Sequence, residues 1–285
     1  MLYALSQYVG TLCPMRHALC CANAMNKFLP IILVLVISLL PATSDANREH
    51  MIEGRTMGTT YHIQVVTATA ESVKGLKEKI DRRLAEINQV FSTYIKDSEI
   101  NRFNALKQAG EEFPVSDDVI EVMRVAGKIH QLSEGAWDGT VSPLVDLWGF
   151  GPRQRQPRKP PATEIKALMQ KIGFERIRVV EPNFLAKDLA AVSLDLNSIA
   201  KGFAVDRISE LLAASGFGNY LVEIGGEVFA AGVRADGKNW RVGINRPRKD
   251  AAFNEVYKAV SIANRAFATS GDYRNFFEID GVRYS

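Results

Sequence analysis

Residues 191–216, AVSLDLNSIAKGFAVDRISELLAASG, contain the transition on which the fold prediction depends. The first six letters predict the end of a strand, and the apolar residues that follow recur at helical spacing. We predict a helix from Asp195 to Ser215, which Gly216 ends. Polar side chains at such a strand-to-helix junction lie beside exposed backbone amides and the positive end of the helix dipole, which favours phosphate groups.

Upstream of this transition the sequence predicts one strand and a long helix. Residues 61–66 (YHIQVV) alternate as a half-buried strand does, with Tyr61, Ile63 and Val65 on one face. Apolar residues then recur at steps of three and four, which is typical of one face of a helix. These residues are Val73, Leu76, Ile80, Leu84, Ile87 and Phe91.

Two further helices are predicted between these segments. Ser116 precedes two aspartates, so we expect its side chain to cap a helix whose apolar face includes Ile120, Met123 and Ile129. Residues 163–172 predict a short helix that ends at Gly173.

Strands dominate after Gly216. They are predicted at residues 220–224, 240–244, 257–262 and 276–279, and Asp280-Gly281 then indicates a hairpin turn into residues 282–284. Because strands follow helices in blocks and do not alternate with them, the pattern favours an α+β fold with largely antiparallel sheets and packed helices.

The composition excludes several classes of protein. The chain has 285 residues, of which 47% are hydrophobic and 24% charged, so collagen-like, coiled-coil and wholly disordered chains do not fit. A net charge of +3 is too small to indicate a nucleic-acid partner. The basic stretch 153–161 (RQRQPRKPP) is rich in proline and lacks aromatic residues, which favours a solvated loop over a polyanion site.

The N-terminal region predicts export. The uncharged run Phe28–Leu40 follows Lys27 and precedes small residues, as in a secretory signal, and its 13 residues are fewer than the ~20 of a membrane-spanning helix. We therefore expect residues 1–46 to form a signal region, with Met25 as the true start and cleavage near Ser44 or Ala46. Residues 47–285 would form one domain, periplasmic and soluble after cleavage, or held at the inner membrane if uncleaved.

The three cysteines, Cys13, Cys20 and Cys21, all precede this apolar run. A processed chain would have no cysteine, which excludes disulfides, a thiolate nucleophile and cysteine-ligated zinc. No cysteine directly follows the run, so a lipid anchor is not expected there.

Common catalytic motifs are absent from the sequence: it contains no GxxxxGK[ST], HExxH or GxSxG, and its four histidines are scattered. What remains is a set of glycine-rich and polar turns. They are 135–143 (GAWDGTVSP), 194–202 (LDLNSIAKG), 223–227 (EIGGE) and 269–275 (TSGDYRN). Taken singly, these are more typical of a turn with a packed Trp, a helix cap by Asp195 or Asn197, a β-bulge and a capped polar turn.

Taken in order, the motifs change that interpretation. From about Arg55 to Ser285 the sequence closely resembles the ApbE family of FAD:protein FMN transferases. The motifs include Met57-Gly58-Thr59, Phe91-Ser92-Thr93-Tyr94, 97–104 (DSEINRFN), 135–144 (GAWDGTVSPL), 147–151 (LWGFG), 195–202 (DLNSIAKG), 225–227 (GGE) and 269–275 (TSGDYRN).

The resemblance implies a Mg²⁺-dependent enzyme. It would transfer FMN from FAD to a Thr or Ser hydroxyl of a target flavoprotein, such as a subunit of a membrane redox pump, and release AMP. By resemblance, the FAD contacts are Met57, Tyr94, Ala136, Trp137, Asp138, Asp195, Lys201 and Phe267, and the metal position is Ser198. A hydroxyl oxygen suits the hard Mg²⁺ ion.

The resemblance also carries departures. Members of the family continue past the equivalent of Tyr284-Ser285 into a His-x-x-Asp-Pro segment, which supplies the catalytic base, and into residues that complete the metal site. We therefore expect the natural protein to continue, assign no catalytic residue before Ser285, and expect this 285-residue chain to be impaired in catalysis. Lys201 also stands where some members carry Glu.

Three alternatives remain open. An FAD pyrophosphatase would use the same site with water as the acceptor and yield FMN and AMP. A non-catalytic exported protein would bind FAD and leave it intact. An exported globular domain would use all the glycine turns structurally.

Overall fold

The structure is a computed structural model that describes residues 47–151, 156, 158–248, 250–252, 255–273 and 275–285. The predicted signal region, with its apolar run, alternative start and cysteines, lies outside the described residues, as do residues 153–155 and 157 of the basic stretch 153–161.

In the described part of the chain, two nine-residue strands open the domain, six helices and three short strands follow, and strands dominate the rest. The strands are β1 (Arg48–Thr56), β2 (Thr59–Thr67), β3 (Phe113–Pro114), β4 (Ile177–Val180), β5 (Phe184–Lys187), β6 (Tyr220–Ile224), β7 (Glu227–Ala231), β8 (Trp240–Asn245), β9 (Val256–Ile262), β10 (Arg265–Phe267), β11 (Phe277–Ile279) and β12 (Val282–Tyr284). The helices are α1 (Leu76–Phe91), α2 (Glu99–Asn104), α3 (Asp117–Leu132), α4 (Ser142–Trp148), α5 (Ala162–Met169) and α6 (Asn197–Ala214), and 3₁₀ turns occur at Ala70–Val73 and Phe174–Arg176.

A five-stranded sheet in the order β1-β2-β6-β7-β10 forms the centre of the fold, and its neighbouring strands are antiparallel. A three-stranded sheet (β3-β5-β4) and the hairpins β8-β9 and β11-β12 are also antiparallel. This architecture confirms the predicted α+β class with largely antiparallel sheets.

The central sheet buries both of its faces. Tyr61, Ile63 and Val65 are fully buried in the cluster that α1 and α6 share, as the alternation in β2 predicts. Burial of each such aliphatic side chain stabilises the fold by roughly 1.5–3 kcal/mol. Leu221, whose neighbours in β6 join the helical cluster, points to the opposite face and packs with Trp240 of β8.

Tyr61 also explains a glycine in the adjacent strand. Gly54 lies directly opposite Tyr61 in the β1-β2 pairing, and a Cβ atom at Gly54 would lie 2.6 Å from Cε1 of the Tyr61 ring. The tyrosine hydroxyl donates to Asp81 Oδ1 at 2.6 Å, which fixes the ring over the glycine. The ring therefore occupies the space that a side chain at position 54 would need.

Helices α1 and α6 pack against the sheet and against each other. The predicted face of α1 is buried at Ile80, Leu84 and Ile87, but the helix begins at Leu76 and Val73 lies in the preceding 3₁₀ turn. The rings of Phe91 and Phe203 meet edge to face, with centroids 5.5 Å apart. The two helices that bracket the site in sequence are thus joined by one core.

Several predicted details were wrong. Ser116 precedes α3 as expected, but its hydroxyl makes no capping bond and has no partner among the described residues. Its backbone N–H instead donates to Glu99 Oε1 at 2.5 Å. Helix α5 ends at Met169, before the predicted Ile172, and α6 begins at Asn197, two residues after Asp195. The strand end predicted at residues 191–196 is also wrong, since this segment is irregular backbone between β5 and α6.

The paired glycines do not form the expected β-bulge. Ile224 pairs with Glu227, so Gly225-Gly226 are the two central residues of the hairpin turn between β6 and β7. Their φ angles are +56° and +97°, which suit glycine and match the turns that favour such hairpins. The predicted hairpin after residue 276 is confirmed as β11-β12.

Among the helices in the described part of the chain, none combines the length and the apolar character needed to cross a membrane.

Candidate functional site

The start of α6 is the point at which the predicted site residues meet. Asp195 precedes the helix, and its Oδ1 accepts a hydrogen bond from the backbone N–H of Asn197 at 2.9 Å. Burial raises the pKa of the Asp195 carboxyl above its ordinary value, the bonds to Asn197 lower it, and the nearby carboxylate of Asp146 raises it further. Partial burial and the negative charge of Asp146 thus disfavour the ionised form of Asp195, and a cation bound beside it would stabilise that form.

The glycine-rich turn before α4 is joined to this helix start. The backbone N–H of Asp195 donates to the carbonyl of Gly139 at 2.7 Å. Trp137 Nε1 donates to Oγ of Ser198, an exposed residue in the first turn of α6, at 3.1 Å. The predicted metal position and a predicted FAD contact are therefore in direct contact.

Asp138 is held within that turn. Its Oδ1 accepts the backbone N–H and the hydroxyl of Thr140, at 2.7 and 2.5 Å, and its Oδ2 accepts the N–H of Phe174 at 3.0 Å. The Trp137 ring packs edge to face on Phe174, with centroids 5.4 Å apart, and Ala136 beside it is exposed. The Asp138 carboxylate orders the turn that presents Trp137.

Lys201, one turn along α6, is bonded to the hairpin β6-β7. Its Nζ lies 3.0 and 2.9 Å from the two carboxylate oxygens of Glu227 and 3.4 Å from the carbonyl of Gly225. Both side chains are largely buried, at 33% and 20% exposure. The lysine therefore sits between the helix start and the glycine turn with one carboxylate as its partner.

The turn between β1 and β2 approaches the same hairpin. A Cβ atom at Gly225 would lie 2.7 Å from Cγ2 of Thr59 and 3.3 Å from Cδ of Lys201. Met57 precedes Thr59 in this turn, has a φ angle of +49° and packs against the main core. The structure thus places Met57 in the β1-β2 turn, close to Thr59, which lies beside Gly225 of the hairpin β6-β7.

Tyr94 enters from the turn after α1. The neighbouring Thr93 hydroxyl oxygen accepts a hydrogen bond from Nδ2 of Asn197 at 3.0 Å, which ties this turn to the start of α6. The Tyr94 side chain itself is 74% exposed. It is an uncovered aromatic surface two residues from the buried Ser92.

Phe267 approaches from the other edge of the sheet. It pairs with Val228 in β7, the residue after Glu227. It packs against the apolar cluster that contains Leu221 and Trp240. Thr269 follows, with its Oγ1 3.7 Å from where a Cβ at Gly226 would lie. Further along the polar loop, Ser270, Gly271, Asp272 and Asn275 line a depression of about 460 Å³ with Ser285.

Three polar residues that complete these links were not among the predicted site residues: Thr93, Asn197 and Glu227. Thr93 and Glu227 stand inside motifs that the sequence analysis singled out, next to predicted contacts. Asn197 stands inside the motif 195–202 and is also a candidate helix cap. The sequence shows only that each is a polar residue at the end of a helix or strand. It does not show which residue of another segment each side chain contacts.

The polar side-chain groups of the site are carboxylate and hydroxyl oxygen atoms, the Lys201 ammonium and the Trp137 indole N–H. Within the described ranges, no three His, Cys, Asp or Glu side chains lie close enough together to hold a metal ion. A cation would therefore need further oxygen atoms from a ligand or from solvent.

Comparisons with known proteins agree in family and fold. The ApbE family model matches residues 57–285. The chain is similar to the FAD:protein FMN transferase of Vibrio cholerae, with 42% identity over 257 residues that cover 90% of this chain and 75% of that protein. The FAD:protein FMN transferase of Haemophilus influenzae is 37% identical over 270 residues, which cover 92% and 77% of the two chains.

Solved structures give the same result. The flavin transferase ApbE from Vibrio cholerae superposes with a TM-score of 0.73 at 41% identity, covering 84% of this chain and 75% of that one. The apo form of the Pseudomonas stutzeri flavinyl transferase ApbE also has a TM-score of 0.73, at 39% identity, with coverage of 84% and 73%.

Proposed function

The chain belongs to the ApbE family of flavin transferases, and we propose that it transfers the FMN part of FAD to a Ser or Thr hydroxyl of a target flavoprotein, releasing AMP. The observation that carries the proposal is that the turn before α4 meets the start of α6: Trp137 Nε1 bonds to Ser198 Oγ and the Asp195 N–H to the Gly139 carbonyl, with Lys201 one turn along the helix. These groups come from the segment before α6, the helix and the turn before α4. Together they suit a ligand that has both a diphosphate and aromatic rings.

The start of α6 supports diphosphate binding. The backbone N–H of Asn197 is bonded to Asp195 and those of Ile199 and Ala200 to the Leu196 carbonyl, so the groups that favour an anion here are the α6 helix dipole and the Lys201 ammonium one turn along. Lys201 already contacts a carboxylate, Glu227, so its ammonium is directed toward oxygen atoms on this side of the helix. We propose that Lys201 and the helix start bind the diphosphate of FAD.

The aromatic groups support binding of the rings of FAD. Tyr94 presents an exposed ring, and Trp137 presents a half-buried indole whose N–H is bonded to Ser198. Stacking on such rings is favourable for any flat heteroaromatic group. We propose FAD contacts by Tyr94 and Trp137, with Met57, Ala136, Asp138 and Phe267 completing the walls.

The oxygen atoms of the site fit a Mg²⁺ ion in part. Mg²⁺ is commonly bound through one or two carboxylates together with substrate phosphates and water. Ser198 provides a hydroxyl, and the Asp195 carboxyl has a pKa raised by burial and by Asp146, so a cation there would relieve an existing electrostatic cost. We propose that Ser198 and Asp195 hold Mg²⁺ with the diphosphate, whose negative charge the ion would neutralise.

The proposed reaction is a displacement at the phosphorus atom of the FMN part. The acceptor hydroxyl oxygen forms a bond to that phosphorus while the bond from phosphorus to the bridging oxygen breaks. AMP leaves with the electron pair of that bond, and the hydroxyl proton is released. Lys201 and the α6 helix dipole would stabilise the negative charge that moves to the leaving phosphate. We assign no described residue as the base.

The experiment is an assay of the purified chain with FAD, Mg²⁺ and a candidate acceptor protein. We expect the acceptor to gain the mass of FMN and one AMP to appear for each acceptor labelled. An acceptor with its Ser or Thr replaced by Ala is the matched control. The Vibrio cholerae enzyme, run in parallel, is the positive control.

The same assay separates the alternatives. AMP and free FMN without labelled acceptor would indicate an FAD pyrophosphatase. FAD that stays intact with Mg²⁺ and acceptor present, while remaining bound, would indicate a flavin-binding protein without transferase activity. Either result contradicts the proposed transfer.

We also propose that the protein is exported and acts on an extracytoplasmic acceptor, such as a subunit of a membrane redox pump. The support for export is the apolar run Phe28–Leu40 after Lys27. N-terminal sequencing of the protein from a periplasmic fraction tests it. A mature chain that begins near Ser44 or Ala46 is expected, and a cytoplasmic chain that keeps residues 28–40 would contradict it.

A further inference from the structure

Helix α2 carries two asparagines, Asn101 and Asn104, that lie outside the proposed FAD contacts. They are three residues apart, so their side chains lie on neighbouring positions of one short helix. Each side chain bonds to the backbone of a segment that supplies a proposed FAD contact.

Asn104 holds the segment before Asp195. Its Oδ1 accepts the backbone N–H of Leu194 at 2.7 Å, and its Nδ2 donates to the carbonyl of Leu194 at 2.8 Å. The side-chain amide thus pairs with Leu194 as a neighbouring strand would. Leu194 is fully buried and directly precedes Asp195, so the pairing fixes where the Asp195 backbone lies.

Asn101 holds the turn that carries Tyr94. Its Nδ2 donates to the carbonyls of Thr93 and Ile95, at 3.1 and 2.8 Å. Ser98 adds to the same arrangement, since its hydroxyl donates to the carbonyl of Ser92 at 2.6 Å and accepts the N–H of Asn101 at 3.1 Å. The backbone on both sides of Tyr94 is therefore bonded to α2.

The end of α2 is fixed in turn by a buried lysine. Lys187 is fully buried in β5, and its Nζ donates to the carbonyl of Asn104 at 3.0 Å and to the carbonyl of Val192 at 3.1 Å. The ammonium therefore joins the C-terminal end of α2 to the irregular segment that leads from β5 to Leu194.

We infer that Asn101 and Asn104 are positioning residues for FAD. Through them, α2 sets the position of the Tyr94 turn relative to the Asp195–Lys201 start of α6, so that one FAD molecule can contact both segments. The bond between Thr93 and Asn197 closes the same arrangement directly. This inference rests on the proposed function, because it assumes that both segments bind the same ligand.

The amide groups are specific for this role. The Asn104 amide accepts one hydrogen bond from Leu194 through its oxygen and donates one to Leu194 through its nitrogen. Asn104→Asp therefore keeps the acceptor, loses the donor and places a negative charge against the Leu194 carbonyl. Asn101→Ala removes both bonds to the Tyr94 turn and leaves α2 otherwise unchanged. The two variants loosen one segment each.

The test measures FAD binding by fluorescence and amide hydrogen exchange without FAD, in the unaltered chain and in Asn101→Ala and Asn104→Asp. The control is Tyr220→Phe, which removes a buried hydrogen bond to the Ser209 carbonyl elsewhere in the core. We expect each asparagine variant to weaken FAD binding about tenfold or more, since small displacements of a bound group are costly. Exchange should rise selectively at residues 92–96 for Asn101→Ala and at 193–198 for Asn104→Asp.

The outcomes separate this inference from the proposed function. If the unaltered chain does not bind FAD, the proposed function fails. The positioning role is overturned as well if the asparagine variants show the same hydrogen-exchange pattern as Tyr220→Phe. If the chain binds FAD and both variants bind it within about twofold of the unaltered chain, the positioning role is overturned and the proposed function stands. The positioning role is also overturned if Tyr220→Phe, at the same thermal stability as the asparagine variants, binds FAD as weakly as they do.

Discussion

Lys201 Nζ lies 2.9 Å from Oε2 of Glu227, and this ion pair joins α6, one turn past its start, to the hairpin β6-β7. Glu227 holds the lysine in one place, and the Gly225 carbonyl accepts from it on the same side. A ligand with a diphosphate would therefore meet an ammonium group that is already oriented.

Replacement of Lys201 by methionine should weaken FAD binding about tenfold or more, because a charge-assisted hydrogen bond to phosphate is lost and Glu227 is left without its partner. The remaining binding should depend less on salt concentration. Titration of FAD fluorescence at two ionic strengths measures both effects. Lys74→Met is the control, since Lys74 is an exposed lysine paired with Glu71 away from the site. Equal losses in the two variants would contradict a specific role for Lys201.

Replacement of Asp138 by asparagine should destabilise the turn that carries Trp137. The carboxylate accepts three hydrogen bonds, and an amide nitrogen in place of one oxygen leaves at least one backbone N–H, that of Phe174 or Thr140, without an acceptor. We expect the free energy of unfolding to fall by about 1–3 kcal/mol. Urea denaturation measures it, and a change below about 0.5 kcal/mol would show that the turn does not depend on these bonds.

The α+β class and the long elements could be predicted because their signal is local. Ile80, Leu84 and Ile87 repeat at helical spacing and are buried together, and Tyr61, Ile63 and Val65 alternate and share one face. The sequence does not predict six of the strands, because short or edge strands are defined by their partners more than by their own sequence. These are β1, β3, β4, β5, β7 and β10.

The candidate site could be predicted only as a set of motifs. Trp137 and Ser198 stand in two of these motifs, but nothing in their spacing indicates the 3.1 Å bond between them. Asn104 was noted as the last letter of a motif, and its pairing with Leu194 depends on tertiary packing across 90 residues. Long-range pairs of this kind are set by the whole core and have no local pattern.

A pair of glycine substitutions should have opposite effects on stability. Gly54→Ala places a Cβ 2.6 Å from the Tyr61 ring, which is held by Asp81, so we expect a loss of about 1–3 kcal/mol. Gly127→Ala lies inside α3 with nothing within 4 Å of the new Cβ, so we expect a gain of about 0.5–1 kcal/mol from helix propensity. Denaturation by urea measures both, and a Gly54→Ala chain as stable as the unaltered one would contradict the packing of Tyr61.

Lys187 gives the last prediction, which concerns pH. Burial lowers the pKa of this lysine below its ordinary value of 10.5, the nearby Lys107 lowers it further, and Glu111 raises it. Between the lowered pKa and 10.5 the unfolded chain therefore binds more protons than the folded chain, and the contribution of Lys187 to stability rises with pH in that window. Below the lowered pKa both states are protonated and the unfavourable contribution is complete.

The comparison that isolates this effect is Lys187→Met, which cannot titrate. We expect the free energy of unfolding of the unaltered chain, minus that of Lys187→Met, to increase as the pH rises from the lowered pKa toward the ordinary value of 10.5. The other titrating groups act on both chains and cancel in the difference. Ser209→Ala removes a buried bond to the Val205 carbonyl without removing a charge, so its difference should stay constant over the same range. A Lys187 difference that stays constant or falls would mean that the folded chain does not disfavour the charged ammonium, and that its bonds to the Asn104 and Val192 carbonyls outweigh its burial.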